Sequence, residues 1–474
     1  MASKYDLEQL NFGIGAAQIT ENHVVSDALD LFSDPQKEIA FESGRSIFIT
    51  PKGQLLSEGP HTFQIDTAGA NFYKLNISTI YGQCKITKQD GSNIPLDKEF
   101  SVVNMFPASL YKSVDMEIDN VLVSPLNSTN QHYKTYIDTL LSYSSDARRT
   151  HLKSCMFIGE TGVNDDVATN TTLGAYTAAA PAADGRPAVP ESRAIGTSAY
   201  AKRYEIVKGS RTFDWTLPLN LDFMCTDRLF PPGKPITLRF ARNNDAFSII
   251  TPTSNDETYK VQFVKLILEV RMITLDPTVQ NSLIQRLTKE PCTFPICKTE
   301  IKNYDLPQGN ISFNESSLFS GVLPKSIILC MVKSAAYQGQ YKSNGYNFEP
   351  FDNNYCQLEV NGEAVPGLPY TPNFDQGLFL REYYSLYRNI GIHRRNEGCF
   401  VTPENFASSC YFLAWDLSPN LDNSFVSHRP QSGNIKLSMT FAKSLPTPVT
   451  LLAYASWDIR IMYPLVGPIE ARPF

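Results

Sequence analysis

Apolar and polar residues alternate with a period of two along much of the chain. This is the pattern of strands that bury one face and wet the other. In Lys265–Met272, the side chains of Leu266, Leu268, Val270 and Met272 share a face opposite Lys265, Glu269 and Arg271, with Ile267 the exception. Val114, Met116 and Ile118 alternate with Asp115, Glu117 and Asp119. Ile435, Leu437, Met439 and Phe441 alternate with Lys436, Ser438 and Thr440, and Trp457, Ile459, Ile461 and Tyr463 with Ser456, Asp458, Arg460 and Met462. The 31 prolines and 26 glycines fall mainly between such runs, as turn punctuation does. The pattern predicts antiparallel β-sandwiches.

Helical spacing is rarer. After Asn127-Ser128-Thr129-Asn130, the residues Tyr133, Tyr136, Ile137, Leu140 and Leu141 fall on one face of a helix, with Ser, Thr and Asn at hand as caps. Leu380, Tyr383, Tyr384, Tyr387 and Ile390 repeat the spacing before Gly391, a stop signal. Both stripes are expected to pack against a sheet. A third, short helix is expected at Val279, Leu283, Ile284 and Leu287, after Leu275-Asp276-Pro277 closes a long strand.

The two halves echo each other. Leu221-Asp222-Phe223, the strand Ile236–Phe240 and the strand through Val270 are matched by Trp415-Asp416-Leu417, the strand from Ile435 and the strand through Ile461. Each half has its helix upstream. The first half is longer by a segment, Thr161–Tyr200, that contains 10 Ala, 6 Thr, 4 Gly and 3 Pro and reads as a long inserted surface loop. The pattern implies two sandwiches in tandem, and eight-stranded jelly rolls are one way such sheets avoid long open edges.

Composition narrows the function. Of 474 residues, 42 are basic and 48 acidic, a net charge of −6 that argues against a globally basic nucleic-acid binder. Only 19% are charged, while 23 Tyr and 28 Phe supply sticky surface. No apolar run is long enough to cross a membrane as a helix, and the stretch Met1–Leu10 lacks the core of a secretory signal. Nine cysteines are therefore expected as reduced thiols. Cys292 and Cys297 make a C-x4-C pair, but Pro295 lies between them and no His is near, so no zinc site is expected. Gly13-Ile14-Gly15 lacks the third glycine and the βαβ unit of a dinucleotide site.

None of the six histidines (His23, His61, His132, His151, His393 and His428) pairs at ligand spacing. His132 and His393 are expected in capping or surface roles. Asp165-Asp166 and His393-Arg394-Arg395 read as solvated loops. Sequons at Asn76, Asn127, Asn170, Asn310 and Asn314 imply no glycosylation without a secretory signal. No catalytic, cofactor-binding or metal-ligating residue is identified, and the chain is expected not to be an enzyme.

A longer series of residues carries a resemblance. It begins at Leu318-Phe319-Ser320-Gly321-Val322-Leu323-Pro324-Lys325-Ser326-Ile327-Ile328 and continues through Asn347-Phe348, Leu358-Glu359-Val360-Asn361-Gly362, Val365-Pro366, Pro372-Asn373-Phe374 and Tyr384-Ser385-Leu386. It closes with Asp416-Leu417-Ser418-Pro419-Asn420, Gly433-Asn434-Ile435-Lys436-Leu437, Phe441-Ala442, Leu445-Pro446, Val449, Tyr454-Ala455 and Asp458. Upstream, Phe63-Gln64-Ile65 and the stretch Asn127–Leu141 fit the same style. This ordered series resembles the double jelly-roll major capsid proteins of the Polinton (Maverick) and adintovirus group, in the wider adenovirus-like and virophage lineage. The insert Thr161–Tyr200 matches none of that pattern.

The resemblance implies an all-β fold of two tandem eight-stranded jelly-roll β-sandwiches, each with a short amphipathic helix. It implies an N-terminal arm over residues 1–34, a first jelly roll over 35–276 with the insertion at about 161–200, a connector at 277–303, a second jelly roll over 304–463 and a tail at 464–474. The implied function is that of a major capsid protein: three copies form a pseudo-hexameric capsomer that tiles an icosahedral virion. Its partners would be itself as a homotrimer, neighbouring capsomers, and penton and minor capsid proteins. No cofactor, small-molecule substrate or strong direct nucleic-acid binding is expected, and the place of action is the virion, assembled inside the host cell. The insert is expected on the outer face of the capsomer, and the N-terminal segment as an arm toward neighbours or the shell interior. The rival reading is a two-domain jelly-roll lectin or glycan-acting β-sandwich protein, whose aromatics would stack on sugars.

Overall fold

The period-two runs close into two antiparallel sheets face to face, and then into the same arrangement a second time. The computed structural model describes residues 37–55, 58–123, 130–159, 176–177, 192–193, 198–252, 255–421 and 428–473. Eight strands build the first sandwich: β1 (Phe41–Ile49), β2 (His61–Ile65), β3 (Phe72–Lys88), β4 (Tyr111–Ile118), β5 (Val121–Leu122), β6 (Phe213–Pro218), β7 (Ile236–Arg242) and β8 (Tyr259–Leu275). Eight more build the second: β9 (Cys292–Leu306), β10 (Ser312–Val322), β11 (Ser326–Lys333), β12 (Asn353–Val360), β13 (Glu363–Tyr370), β14 (Leu413–Asp416), β15 (Ser432–Phe441) and β16 (Val449–Tyr463). A last strand, β17 (Glu470–Pro473), pairs with β16.

The first sandwich has sheets in the order β1-β8-β3-β6 and β2-β7-β4-β5, and the second has β9-β16-β11-β14 and β10-β15-β12-β13. Adding eight to each label converts one sandwich into the other. This is the jelly-roll topology, present twice. All these ladders are antiparallel, so the chain connections alternate between two ends of each sandwich. At the end we call upper, the β3–β4 connection bonds the β7–β8 connection (Val103 N–H to Ser248 O, 3.0 Å). At the lower end, Gly233 of the β6–β7 connection donates to Thr67 O of the β2–β3 connection (3.1 Å).

The alternating faces land as read. Leu266, Leu268, Val270 and Met272 of β8 and Ile435, Leu437, Met439 and Phe441 of β15 are buried. Four helices pack on or between the sandwiches: α1 (Gln131–Ser142), α2 (Ala199–Val207), α3 (Pro277–Lys289) and α4 (Leu380–Asn389). α1 and α4 occupy equivalent places, the β5–β6 and β13–β14 connections. α3 starts on Asp276, whose carboxylate accepts from the Thr278 amide at 2.9 Å, with Pro277 at the first helical position. α4 ends before Gly391, whose φ of +78° suits the left-handed turn that closes a helix.

Several expectations are corrected. The stripe on α4 does not pack as read: Leu380 and Tyr384 are exposed, and the buried face is Glu382, Ser385, Leu386 and Asn389. Asn389 Nδ2 donates to Ala414 O (2.6 Å) on the edge strand β14, so a polar face is held by a strand edge; of the apolar stripe, Tyr383, Tyr387 and Ile390 are half-buried and Leu380 and Tyr384 are left outward. His132 is neither cap nor surface residue. It is buried edge-on against Phe247, 4.7 Å between ring centres, and burial pushes it down to about 3, so it is neutral. Residues 292–303, read as connector, form most of β9, because their partner β16 offers a full-length edge. Within 464–474, read as tail, Glu470–Pro473 extend a sheet. The N-terminal segment 1–34 lies outside the described residues, as does most of 161–200. Of that insert, Tyr176–Thr177 pairs with Ser192–Arg193, and Ser198 caps α2, its Oγ accepting from the Ala201 amide at 3.1 Å.

Candidate functional site

The feature with most chemistry is the seam between the sandwiches. Helix α1 is its wedge. Tyr136 stacks on Tyr346 at 4.0 Å and 3°, Phe247 meets Tyr346 edge-on at 5.4 Å, and Tyr133 OH donates to Gly345 O at 2.9 Å. These contacts join upper connections of both sandwiches, as does Thr251 N–H to Tyr341 O (2.7 Å). At the lower end Phe223 packs on Phe294 (5.2 Å) and Phe230 on Tyr463 (5.2 Å), and Lys234 lies over the Tyr463 ring. Upper meets upper and lower meets lower. The two jelly rolls therefore stand side by side with the same polarity.

A buried ionic cluster fastens this seam at mid-height. Lys134 Nζ on α1 lies 3.0 Å from Asp138 Oδ2 and 3.3 Å from Asp222 Oδ1, and donates to Asn220 O at 3.1 Å. Asp138 Oδ1 accepts from Tyr454 OH of β16 at 2.7 Å, and Asp222 Oδ2 accepts from the Thr299 amide of β9 at 2.7 Å. Each carboxylate thus touches the lysine of one sandwich and a donor of the other. Burial alone would push the Lys134 ammonium down, but the two carboxylates beside it hold it above its ordinary range. Burial and the Asp138 charge hold the Tyr454 phenol well above its ordinary range, so it stays a donor. An adjoining cleft of about 610 Å³ is lined by this cluster with Cys155, Cys225 and Cys297.

Sequence reasoning found α1 but not the cluster. The one available signal was an i,i+4 Lys–Asp pair inside the apolar stripe. Asp222 drew attention only as part of the internal echo with Asp416. The echo is positional: both aspartates follow or end the sixth strand of their sandwich, yet Asp222 enters the seam while Asp416 accepts from the Ser418 amide (2.9 Å).

Part of the series that carries the family resemblance converges. Val322 to Lys325, Val360, Asn361, Val365, Asp416 to Pro419 and Asp458 line one cleft of about 470 Å³ at the lower end of the second sandwich. Lys325 pairs with Asp458 across it (3.3 Å), and Trp457 Nε1 donates to Val322 O (2.9 Å). Other sequence candidates stay apart. Cys292 and Cys297 are an odd number of residues apart on β9 and so face opposite sides of the strand. Arg394 and Arg395 are exposed. Among the described residues no three His, Cys, Asp or Glu side chains are gathered so as to hold a metal ion, and no helix is long and apolar enough to cross a membrane.

Comparison with known proteins bears on the fold. The chain is 20% identical over 435 residues to the uncharacterized protein F54H12.2 of Caenorhabditis elegans, covering 90% of this chain and 96% of that one. No family model matches. Among solved structures it is similar to a chain of the Sputnik virophage (TM-score 0.58, 11% identity, 97% of this chain and 94% of that one). The Faustovirus major capsid protein gives a TM-score of 0.53 at 10% identity, with 93% of each chain covered. A chain of the PBCV-1 virus capsid gives 0.52 at 11% identity, covering 93% and 98%. The fold is an all-β double jelly roll, as the strand order requires.

Proposed function

We propose that this chain is a major capsid protein of the double jelly-roll kind. Three copies form a pseudo-hexameric capsomer, and such capsomers tile an icosahedral shell. The observation that carries the reading is the repeated topology in one polarity: two like modules side by side let three chains imitate a six-sided tile. The likeness in fold to the Faustovirus major capsid protein and to a chain of the PBCV-1 capsid supports it. The ordered residue series supports membership of the Polinton and adintovirus group of that lineage.

On this reading the work of the protein is self-association, with penton and minor capsid proteins as further partners and the virion as its location. No reaction is assigned to it. The net charge of −6 suits a shell that does not wrap the genome itself. The chain divides into an arm (1–34), a first jelly roll with the insert at about 161–200 on the capsomer's outer face, and a second jelly roll joined by α3. Light scattering and electron microscopy of the expressed full chain test the reading. Three-fold particles with a hexagonal outline are expected; a protein that stays monomeric across assembly conditions would refute it.

A further inference from the structure

The two sandwiches share one topology but differ in what covers them. In the second, Ile327 to Val332 of β11 and Val449 to Ser456 of β16 are buried on both faces. In the first, the counterparts β3 and β8 keep every second residue at least partly open over most of their length. The seam makes the difference. The outer face of β9-β16-β11-β14 lies under α1 and the β6–β7 connection, as the Asp138–Tyr454 and Asp222–Thr299 bonds show. The matching face of β1-β8-β3-β6 has no such cover among the described residues. Phe48 is 67% exposed, Ile77 51% and Val264 49%.

The helices show the converse. Tyr133 and Ile137 of α1 are fully buried, whereas Leu380 and Tyr384, at the same spacing on the equivalent helix α4, are 61% and 56% exposed. Among the described residues, each chain therefore carries one half of a seam on either side: an uncovered sheet face on its first sandwich and an uncovered helix face, at Leu380 and Tyr384, on its second. Two surfaces that differ, carried by one chain, make a head-to-tail contact, and such contacts close into rings when the rotation allows.

The geometry points to a second copy of this chain as the missing cover. α4 of one copy, through Leu380 and Tyr384, docks on the outer face of β1-β8-β3-β6 of the next, at Phe48, Ile77 and Val264. This repeats between copies the contact that α1 makes within one. Lys265, Glu269 and Arg271 of β8 add polar groups to the patch, Glu269 directly beside Phe48 in the register of β1 and β8. These are the surfaces that would build the proposed trimer, and their assignment rests on that reading.

The test measures the mass of the full chain in solution by light scattering. The wild type is compared with Leu380→Glu/Tyr384→Glu, with Phe48→Glu and with the control Val466→Glu, an 88% exposed residue in the β16–β17 connection at the lower end. The expected result is a trimer for the wild type and the control, and monomers with unchanged far-UV circular dichroism for the other two. Interface variants that remain trimers overturn the assigned surfaces while leaving the trimer standing; a monomeric wild type overturns the trimer itself. Because a charged variant can fail for other reasons, a Phe48→Cys/Tyr384→Cys chain is also treated with a short bis-maleimide. A ladder of covalent dimers and trimers, beyond that of either single variant, is expected. Its absence in a trimeric protein would overturn the assignment.

Discussion

Replacing Lys134 by methionine probes the seam most directly. The substitution keeps an unbranched side chain, one atom shorter, and removes its charge. Asp138 and Asp222 then face each other without the ammonium that sits 3.0 and 3.3 Å from them, and the Asn220 carbonyl keeps only Gln131 Nε2 (2.9 Å) of its two donors. Removing one partner of a buried ion pair costs about 3–5 kcal/mol. With an unfolding entropy of roughly 2.1 cal/mol/K per residue, a chain of 474 residues that unfolds as one unit would melt about 3–5 °C lower.

The loss should depend on pH, with a definite sign. Burial already raises the Asp222 carboxyl above its ordinary value, an effect that Lys134 opposes. Without the lysine the folded-state value rises further above the unfolded one. Such a group favours the folded state below its unfolded value and disfavours it as pH climbs through the folded value. The variant should therefore lose most near pH 7 and recover part of the deficit near pH 5. Denaturant unfolding of both proteins at the two pH values is the assay, with Lys134→Met/Asp222→Asn as the compensated variant. A loss below about 1 kcal/mol, or a deficit independent of pH and unrelieved in the double variant, would show that the cluster does not hold the seam.

Three further outcomes are expected. Tyr346→Ala removes a fully buried ring stacked on Tyr136 and should cost about 3–5 kcal/mol in thermal unfolding, with faster proteolysis between the sandwiches; a cost near zero would contradict the aromatic seam. Gly82→Ala would place a Cβ 2.2 Å from the buried Trp215 ring, and should lower stability by about 1–3 kcal/mol in urea titration, whereas an unchanged midpoint would mean that the ring moves freely. Burial pushes the Cys84 thiol up to about 12, and Cys330 and Cys356 are equally enclosed, so these three should resist maleimide at pH 7 until the chain unfolds; mass-mapped labelling of the folded protein at any of them would refute this.

The strands were legible because their signal is local. A residue of β8 or β15 shows its face by its neighbours two places away, and Leu266 to Met272 needs no knowledge of the rest of the chain. The order of strands was legible only through resemblance and the echo between Ile236 and Ile435, which do begin or lie in the equivalent strands β7 and β15. The stripe on α4 shows where local reading fails. Spacing identifies an apolar face, but not whether a sheet of the same chain lies beneath it. There the edge strand β14 holds the polar face of the helix, through Asn389 Nδ2 to Ala414 O, and Leu380 and Tyr384 are left outward. His132 was misread for a similar reason, since nothing near it in sequence announces Phe247.

Hydrophobic periodicity, turn residues and charge balance by themselves determined an all-β chain of two like halves with few helices and no recognisable catalytic motif. These properties follow from side chains a few positions apart. Tertiary structure alone decided that the halves stand in one polarity, that Lys134, Asp138, Asp222 and Tyr454 meet across 316 positions of chain between Asp138 and Tyr454, and that, among the described residues, equivalent surfaces are covered in one sandwich and open in the other. Those are contacts between residues whose separation along the chain carries no trace of their proximity, because they form only when two finished sheets press together.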